Sequence, residues 1–272
     1  MQRRQFLLAT GALASGLPEL ARAAGQNQTP EFKILQPQIK DPAQGWQSLF
    51  NGKDLEQWQP QQDQGRAAKP FDWRIATEVG LDPRNRTTLS YKHEPSSTNT
   101  PAFVNNRAGK SDNPITKKDY ADIELYLESM IAKESNSGIC VMGLYEISMR
   151  DSYGHSELKY GDNGGIYAPV INEKRVGGEP PLVNASRPAG EWESFHLWFR
   201  APRFNAGGQK VENARFLRVE LNGQLVHEDF ELPKSTRGRS PWEEKPRAPL
   251  LLQGDHGPVA FRNVYIRTLR KA

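Results

Sequence analysis

The stretch NSGICVMGLYEISMRDSYG, residues 136–154, contains two short strand-like runs joined at Gly143. Alternate side chains of a β-strand point to opposite faces. The pattern therefore predicts a β-hairpin with one apolar face that joins a core and one polar face. On the polar face, the second strand presents Glu146, Ser148 and Arg150. The predicted core-facing positions are Ile139, Val141, Tyr145, Ile147 and Met149.

Similar alternation elsewhere in the chain indicates the fold class. Apolar and polar residues alternate from Tyr120 to Glu128 and from Trp192 to Phe199, as in strands with one buried face. Asn-Gly pairs at 51–52 and 222–223 lie between apolar residues and favour tight turns. The chain has 23 Gly and 20 Pro and no long run of helical periodicity. We therefore predict an all-β fold, an antiparallel β-sandwich in a single domain.

Two segments lack this alternation and are predicted to be long rim loops. Residues 84–118 are rich in Asn, Ser, Thr, Pro and Lys, and the one strand predicted there is 89–91. Residues 233–249 form an excursion rich in Pro and charged residues. Loops of this length in a compact domain are usually functional or mobile.

The N-terminus has the features of an export signal. Arg3 and Arg4 precede an apolar run, and Ala21-Arg22-Ala23 fits a small-x-small cleavage site. Arg-Arg-x-Phe-Leu is a twin-arginine pattern, which predicts export in the folded state to the periplasm or the extracellular space. A general secretory signal is the alternative and leads to the same compartment. We predict a signal peptide at 1–23, a polar leader at 24–44 and the folded domain at 45–272.

Charge and cysteine content exclude some partners and crosslinks. The whole chain has a formal net charge of +4, and removal of residues 1–23 reduces it to +2. A nearly neutral surface gives no electrostatic reason to expect a nucleic-acid partner. The apolar run of the signal is too short to span a bilayer, so no membrane span is expected in the mature chain. The lone Cys140 cannot form an intramolecular disulfide, and its apolar neighbours predict a buried side chain.

Eight stretches in order resemble the 3-keto-disaccharide hydrolase domain family, and together they span roughly residues 45–269. The stretches are GWQSLFNGKDLEQW, ITKKDYADIEL, ESNSGI, YEISMRDSYG, GGIYAP, RPAGEWESFHLWFRAPRF, LNGQLVHED and LLQGDHGPVAFRNVYIRTL. The resemblance implies a concanavalin-like jelly roll similar to laminarinase-type glucanases. It also implies cleavage of glycosidic bonds in sugars oxidised to a ketone at C3. This chain departs from the family pattern at Met142, Leu144 and Ser148, where Arg, Arg and Gln are more usual.

The strand residues argue against an ordinary glycosidase. Such enzymes place two carboxylates across the scissile bond. Glucanases of similar fold carry them as Glu-x-Asp-x-x-Glu on one strand, whereas here Glu146 and Asp151 are five residues apart and face opposite ways on a regular strand. A 3-keto sugar instead needs a base for the C2 proton and stabilisation of the resulting enolate. A divalent metal ion is one option for that stabilisation, and the cofactor requirement is otherwise open.

We therefore predict a set of site residues around the polar strand face. The candidate catalytic residues are Glu146, His256, Arg150, Asp151 and His155. The candidate substrate-binding residues are Asn136, Ser148, Tyr167, Trp192 and Gln253. If a metal ion binds, Glu146, Asp151 and His256 are its candidate ligands.

The predicted function is cleavage of 3-keto-glycosides, with a small carbohydrate as the partner. A sugar 3-dehydrogenase is an expected functional companion, since the ketone must be introduced by oxidation. A non-catalytic carbohydrate-binding jelly roll and a conventional glycosidase are the alternatives.

Overall fold

The computed structural model describes residues 41–61, 69–93, 99–236 and 242–269. These ranges contain nineteen β-strands, one short 3-10 helix at Pro42–Gln44 and no α-helix. The strands are β1 (Gln47–Ser48), β2 (Trp58–Pro60), β3 (Trp73–Ala76), β4 (Glu78–Leu81), β5 (Leu89–Lys92), β6 (Ala102–Asn105), β7 (Pro114–Tyr120), β8 (Ile123–Ile131), β9 (Asn136–Val141), β10 (Tyr145–Arg150), β11 (Val170–Ile171), β12 (Lys174–Arg175), β13 (Glu193–Arg200), β14 (Arg203–Phe204), β15 (Lys210–Glu212), β16 (Ala214–Leu221), β17 (Gln224–Leu232), β18 (Ala248–Leu252) and β19 (Val259–Thr268).

Two antiparallel sheets pack face to face. The larger sheet has the order β17-β16-β13-β8-β19-β6-β3, with β1 paired to β19. The smaller sheet has the order β10-β9-β18-β7-β2. Inner-face side chains from both sheets, such as Leu197 and Ile139, belong to one hydrophobic core. The predicted all-β class and antiparallel sandwich are confirmed.

The hairpin predicted within residues 136–154 forms. β9 and β10 pair in register from Tyr145 opposite Val141 to Arg150 opposite Asn136. All five predicted core-facing side chains are 0–1% exposed and lie in the main core. The Asn222-Gly223 turn also forms as predicted, with positive φ at both residues joining β16 to β17.

Two local predictions are wrong. Two parts of the predicted rim loop 84–118 are strands. Residues 102–105 form the fully buried strand β6 within the larger sheet, since the run Ala-Phe-Val supplies enough apolar surface, and residues 114–118 begin β7 of the smaller sheet. β8 is buried on both faces rather than one, because arginines of β19 and the aromatic ring of Trp46 cover its polar side. The predicted turn at Asn51-Gly52 has a positive φ at Gly52, and it carries the chain from the larger sheet to the smaller one.

The predicted signal peptide and most of the predicted leader lie outside the described residues, so those boundaries stay predictions. Of the leader, residues 41–44 are described, and they include the 3-10 helix capped by the Asp41 side chain.

Candidate active site

The outer face of the smaller sheet carries the predicted polar side chains of β10. Glu146 and Ser148 are only 5% and 1% exposed, while Arg150 at the end of the strand is exposed. Burial of a carboxylate is costly unless its surroundings compensate for the lost water. A nearly buried glutamate on a strand face is therefore a candidate for chemistry.

The strand register places specific residues beside Glu146. Cys140 of β9 lies opposite Glu146, and Leu251 of β18 lies opposite Cys140. One row further along the strands, Gly138 lies opposite Ser148, and the Gln253 amide donates a hydrogen bond to the Gly138 carbonyl at 2.9 Å. The resulting floor is apolar on one side of Glu146 and polar on the other.

A loop segment extends this sheet beyond β10 and brings Tyr167 next to Glu146. The Tyr167 amide donates to the Glu146 carbonyl at 3.1 Å, and Ile166 bridges to Ile147. Because Ile166 points into the core, the next residue, Tyr167, projects to the face that holds Glu146. Gly165 is required here, since a Cβ at this position would stand 2.5 Å from the Tyr160 carbonyl oxygen.

One cation and one aromatic ring flank the Tyr167 ring. The Arg175 guanidinium lies over the ring at 4.4 Å from its centroid, and Tyr160 meets it edge-on at 5.6 Å. Burial raises the pKa of the Tyr167 hydroxyl, Arg175 opposes that rise and the charge of Glu146 adds to it, with a smaller opposing effect from Arg150. The hydroxyl therefore stays protonated at neutral pH and is available as a donor.

Gly138 leaves room for the Glu146 side chain. A Cβ built on Gly138 would stand 3.1 Å from both Cγ and Oε1 of Glu146, so the carboxylate lies over this glycine. The carboxylate thus leans toward the row that contains Gln253.

Gln253 has an unused acceptor in this row. The residue is 7% exposed, and its Oε1 has no hydrogen-bond partner among the described residues. A buried acceptor without a partner costs free energy. Its position beside the Glu146 carboxylate makes it a ready acceptor for a ligand hydroxyl.

Ser148 and Asn136 occupy the same face in different environments. The Ser148 hydroxyl donates to the Tyr160 carbonyl at 3.2 Å and is covered by that loop, so it is not accessible to a ligand in this conformation. Asn136 is partly exposed opposite Arg150. Of these two predicted substrate-binding residues, Asn136 is the accessible one.

His256 lies at the Asn136–Arg150 end of the face. Its neighbour Gly257 packs against Ser135 and the Asn136 amide so closely that a Cβ on Gly257 would stand 2.8 Å from the Asn136 nitrogen. His256 Nδ1 pairs with the Asp255 carboxylate at 2.6 Å.

Asp255 orients this histidine through its carboxylate. Burial by itself raises the pKa of the Asp255 carboxyl, but hydrogen bonds and charge from His256 and Lys69 outweigh it and lower that pKa well below its usual range. The carboxylate is therefore ionised at all ordinary pH values and orients the half-exposed imidazole.

Asp151 and His155 serve the loops beside this face. Asp151 Oδ2 accepts a hydrogen bond from the Glu134 amide at 2.9 Å, which ties the end of β10 to the turn before β9. His155 Nδ1 pairs with Asp162 at 3.2 Å, and Asp162 also accepts from the Lys159 amide. These contacts account for both residues as loop supports.

Trp192 is not part of this cluster. It lies on the outer face of the larger sheet, where Arg262 stacks over its ring at 4.0 Å and Arg262 in turn pairs with Glu128. A separate groove of about 380 Å³ there is lined by Trp192, Arg262, Thr77 and Asn99 among others. We therefore omit Trp192 from the site around Glu146.

No three predicted ligands gather into a metal-binding cluster. Within the described ranges, no group of three or more His, Cys, Asp or Glu side chains could hold a metal ion. Asp151 accepts a hydrogen bond from the Glu134 amide, and His256 pairs with the Asp255 carboxylate. Glu146, Asp151 and His256 therefore do not fit a shared ligand set.

Three residues that contribute to this face were not predicted from the sequence. Tyr160 and Arg175 reach the site only because the loop after β10 folds back over it. Trp242 comes from the excursion at 233–249 and packs on the apolar side of Glu146. A tryptophan within a segment of Pro and charged residues was a usable signal, whereas the other two had none.

A family model describing the 3-keto-alpha-glucoside-1,2-lyase-like domain matches residues 45–267. This chain belongs to that family. The match includes β1 through most of β19 and all the site residues described above. It identifies a carbohydrate-related hydrolase or lyase-like domain.

Solved structures of similar fold come from Parabacteroides distasonis ATCC 8503. One candidate glycosyl hydrolase from this organism is 23% identical, with a TM-score of 0.55 over 82% of this chain and 84% of its own. Another is 17% identical, with a TM-score of 0.49 over 87% of this chain and 98% of its own. At these identities the first likeness supports the shared fold alone.

Comparison with proteins of curated function gives no significant match. None of the described helical residues forms a segment long and apolar enough to cross a membrane.

Proposed function

We propose that this protein is an exported enzyme that cleaves the glycosidic bond of sugars carrying a ketone at C3. Family membership supports carbohydrate-active lyase-like or hydrolase-like chemistry. The observation that carries the finer proposal is the 5%-exposed Glu146 carboxylate over Gly138, with Tyr167 and Gln253 beside it. This arrangement places a carboxylate base beside side chains that can donate to or accept from a sugar, which suits proton removal next to a ketone.

The reaction follows from the acidity that the ketone confers on C2. Glu146 takes the C2 proton and leaves an enolate whose charge rests on the C3 oxygen. The enolate re-forms the ketone and expels the C1 substituent, which leaves protonated as an alcohol. Water then adds its oxygen to C1 of the unsaturated ketone, and C2 receives a proton. The net change is hydrolysis, with no change of oxidation state.

The neighbouring groups have matching roles in this proposal. The exposed guanidinium of Arg150, on the same strand face as Glu146, stabilises the enolate oxygen. The protonated hydroxyl of Tyr167 donates to the departing oxygen. Gln253 Oε1 accepts a sugar hydroxyl. His256, oriented by Asp255, activates the water that adds.

The proposal has consequences for where the enzyme acts and for how its substrate is formed. The twin-arginine pattern in residues 1–23 supports export to the periplasm or beyond. Because ordinary glycosides lack the C3 ketone, an oxidation of the C3 hydroxyl must precede this enzyme. A sugar 3-dehydrogenase is the class of enzyme that supplies such a substrate.

Release of free sugar from 3-keto-trehalose and 3-keto-sucrose, with and without chelator, tests the activity. Glu146→Gln removes the proposed base, and we expect kcat to fall by about 10²–10⁴-fold. Glu191→Gln, at an exposed loop position, is the matched control and should leave kcat unchanged. Sugar binding without any release in either condition would identify a carbohydrate-binding protein instead.

Solvent isotope incorporation separates this route from ordinary hydrolysis. In D₂O the proposed route places deuterium at C2 of the released 3-keto sugar, at a rate that depends on Glu146. A conventional glycosidase breaks only the C1 bond and leaves C2 unlabelled. Turnover without C2 label above the uncatalysed background would overturn the elimination mechanism.

A further inference from the structure

Trp242 forms an aromatic surface on the apolar side of Glu146. Its ring packs against the small cluster of Ile115, Cys140 and Leu251 on the outer face of the smaller sheet. Cys140 is the strand partner of Glu146. The ring is partly exposed, and it packs both on this cluster and against the main core.

The hairpin turn between β9 and β10 is shaped to receive this ring. A Cβ on Gly143 would stand 1.8 Å from Cζ3 of Trp242, which is far inside contact distance. Gly143 also has φ +66°, a conformation that side-chain-bearing residues rarely adopt. The indole therefore lies directly on the backbone of the turn.

Two described residues, Thr236 before Trp242 and Glu244 after it, contact the start of β10. The Thr236 amide donates to the Leu144 carbonyl at 3.0 Å, and the Thr236 hydroxyl accepts from the Glu146 amide at 2.8 Å. On the other side of the tryptophan, Glu244 accepts a hydrogen bond from the Tyr145 hydroxyl and pairs with Lys210 at 2.7 Å. The ring is thus held in register with the residues that carry the carboxylate.

The two sides of Glu146 have different chemistry. Toward Gly138 lie Gln253 and Arg150, which suit the hydroxyls and ketone of a sugar. Toward Gly143 lies the indole, whose flat apolar face suits the C–H face of a second ring. The scissile bond would lie between them, above the carboxylate.

We propose that Trp242 is the binding site for the leaving group, and that this leaving group is a ring, either a second sugar or an aromatic alcohol. The proposal rests on the proposed function, because it assigns the 3-keto ring to the Gln253 side. It predicts that glycosides of small alcohols are poorer substrates than glycosides whose leaving group is a ring.

The test compares one substrate with a ring leaving group and one without. For Trp242→Ala we expect kcat/KM for 3-keto-trehalose to fall about tenfold or more, mainly through KM. For methyl 3-keto-glucoside, kcat/KM should change by less than about threefold, because the reacting ring is bound elsewhere. Trp242→Phe should restore most of the disaccharide activity. Trp198→Ala, at a partly exposed ring on the outer face of the larger sheet, is the matched control.

Two results would overturn the assignment of Trp242 to the leaving group. An equal loss on both substrates would mean that Trp242 only supports the fold around Glu146, and no loss on either would mean that it binds nothing; both overturn the proposal. If the unaltered protein cleaves neither substrate, the proposed function fails. Calorimetric titration with the same two compounds then decides the subsite, since Trp242→Ala must weaken binding of 3-keto-trehalose alone.

Discussion

The Glu146 carboxylate lies so close over Gly138 that a methyl group added to this glycine would displace it. Gly138 sits one row along the sheet from Glu146, between Gln253 and Ser148. Its missing side chain creates the space that the glutamate fills. The position of the proposed base is therefore set by a glycine on the neighbouring strand as much as by its own backbone.

Gly138→Ala should displace the base without unfolding the protein. The new Cβ would stand 3.1 Å from Cγ and Oε1, so the carboxylate must move by a few tenths of an ångström. We expect kcat to fall about tenfold, because reacting groups tolerate little misplacement, and the free energy of unfolding to fall by no more than about 1–2 kcal/mol. Steady-state kinetics and urea unfolding measure the two effects.

Gly80→Ala is the control, since a Cβ there meets no atom within 4 Å. It should leave kcat unchanged. If Gly138→Ala keeps full activity, the observed position of the Glu146 carboxylate has no bearing on catalysis.

Gln253→Met should raise the stability of the protein and weaken its binding of sugar. The buried Oε1 has no partner among the described residues, and such an acceptor costs about 1–3 kcal/mol. Methionine has a similar shape and removes that cost, so we expect the free energy of unfolding to rise by roughly 1 kcal/mol. Loss of the acceptor should weaken binding of the 3-keto sugar about tenfold in calorimetric titration.

An exposed glutamine, Gln57, provides the comparison. Gln57→Met should change neither stability nor sugar affinity beyond a few tenths of a kcal/mol. A destabilised Gln253→Met that still binds sugar normally would mean that Oε1 supports the fold rather than a ligand.

His227 should make the site loop sensitive to acid. Its Nε2 donates to the Gly164 carbonyl at 2.8 Å, beside the segment that carries Tyr167. Burial lowers the pKa of His227 to about 4, against a partial rise from that hydrogen bond. The unfolded chain binds a proton near pH 6.5 and the folded chain does not, so stability is full above pH 6.5 and falls as the pH drops toward 4.

The expected loss is roughly 3 kcal/mol across that interval. His227→Gln keeps a donor for Gly164 and should remove that part of the pH dependence, measured by urea unfolding at pH 4.5 and 7.5. His93→Gln, at an exposed histidine, should keep the full pH difference. An unchanged pH difference in His227→Gln would contradict the assignment.

The sequence predicts the sandwich and the strand that bears Glu146 because both depend on local patterns. The parity of residues 145–150 separates core from surface within one strand, and Asn222-Gly223 adopts the positive φ values that its residue types favour. The sequence does not predict the surroundings of Glu146. Gly138 and Trp242 reach it through strand register and a loop about a hundred residues away, and no periodicity encodes such contacts.

Glu193 should make the protein less stable as the pH rises. Its carboxylate is 5% exposed and accepts hydrogen bonds from the Arg187 amide at 2.6 Å and from Asn163 Nδ2 at 2.9 Å. Burial raises the pKa of Glu193 to about 7, although these hydrogen bonds oppose the rise. Between pH 4.5 and 7 the folded chain retains a proton that the unfolded chain has lost. Stability therefore falls across this interval, by roughly 3 kcal/mol.

Glu193→Gln tests this pH dependence through the difference in the free energy of unfolding between variant and wild type. The glutamine amide carries no charge, so its burial costs less free energy than burial of a carboxylate. Asn163 Oδ1 is a buried acceptor without a partner among the described residues. If the Asn163 amide rotates, the glutamine Nε2 can donate to this oxygen. We expect the variant to be more stable by about 1–3 kcal/mol at pH 8 and the difference to vanish near pH 4.5. Glu191→Gln, two residues away and exposed, should show no such trend in urea unfolding across the same range. A Glu193→Gln variant that is less stable than wild type at pH 8 would show that the ionised carboxylate stabilises this junction of loops.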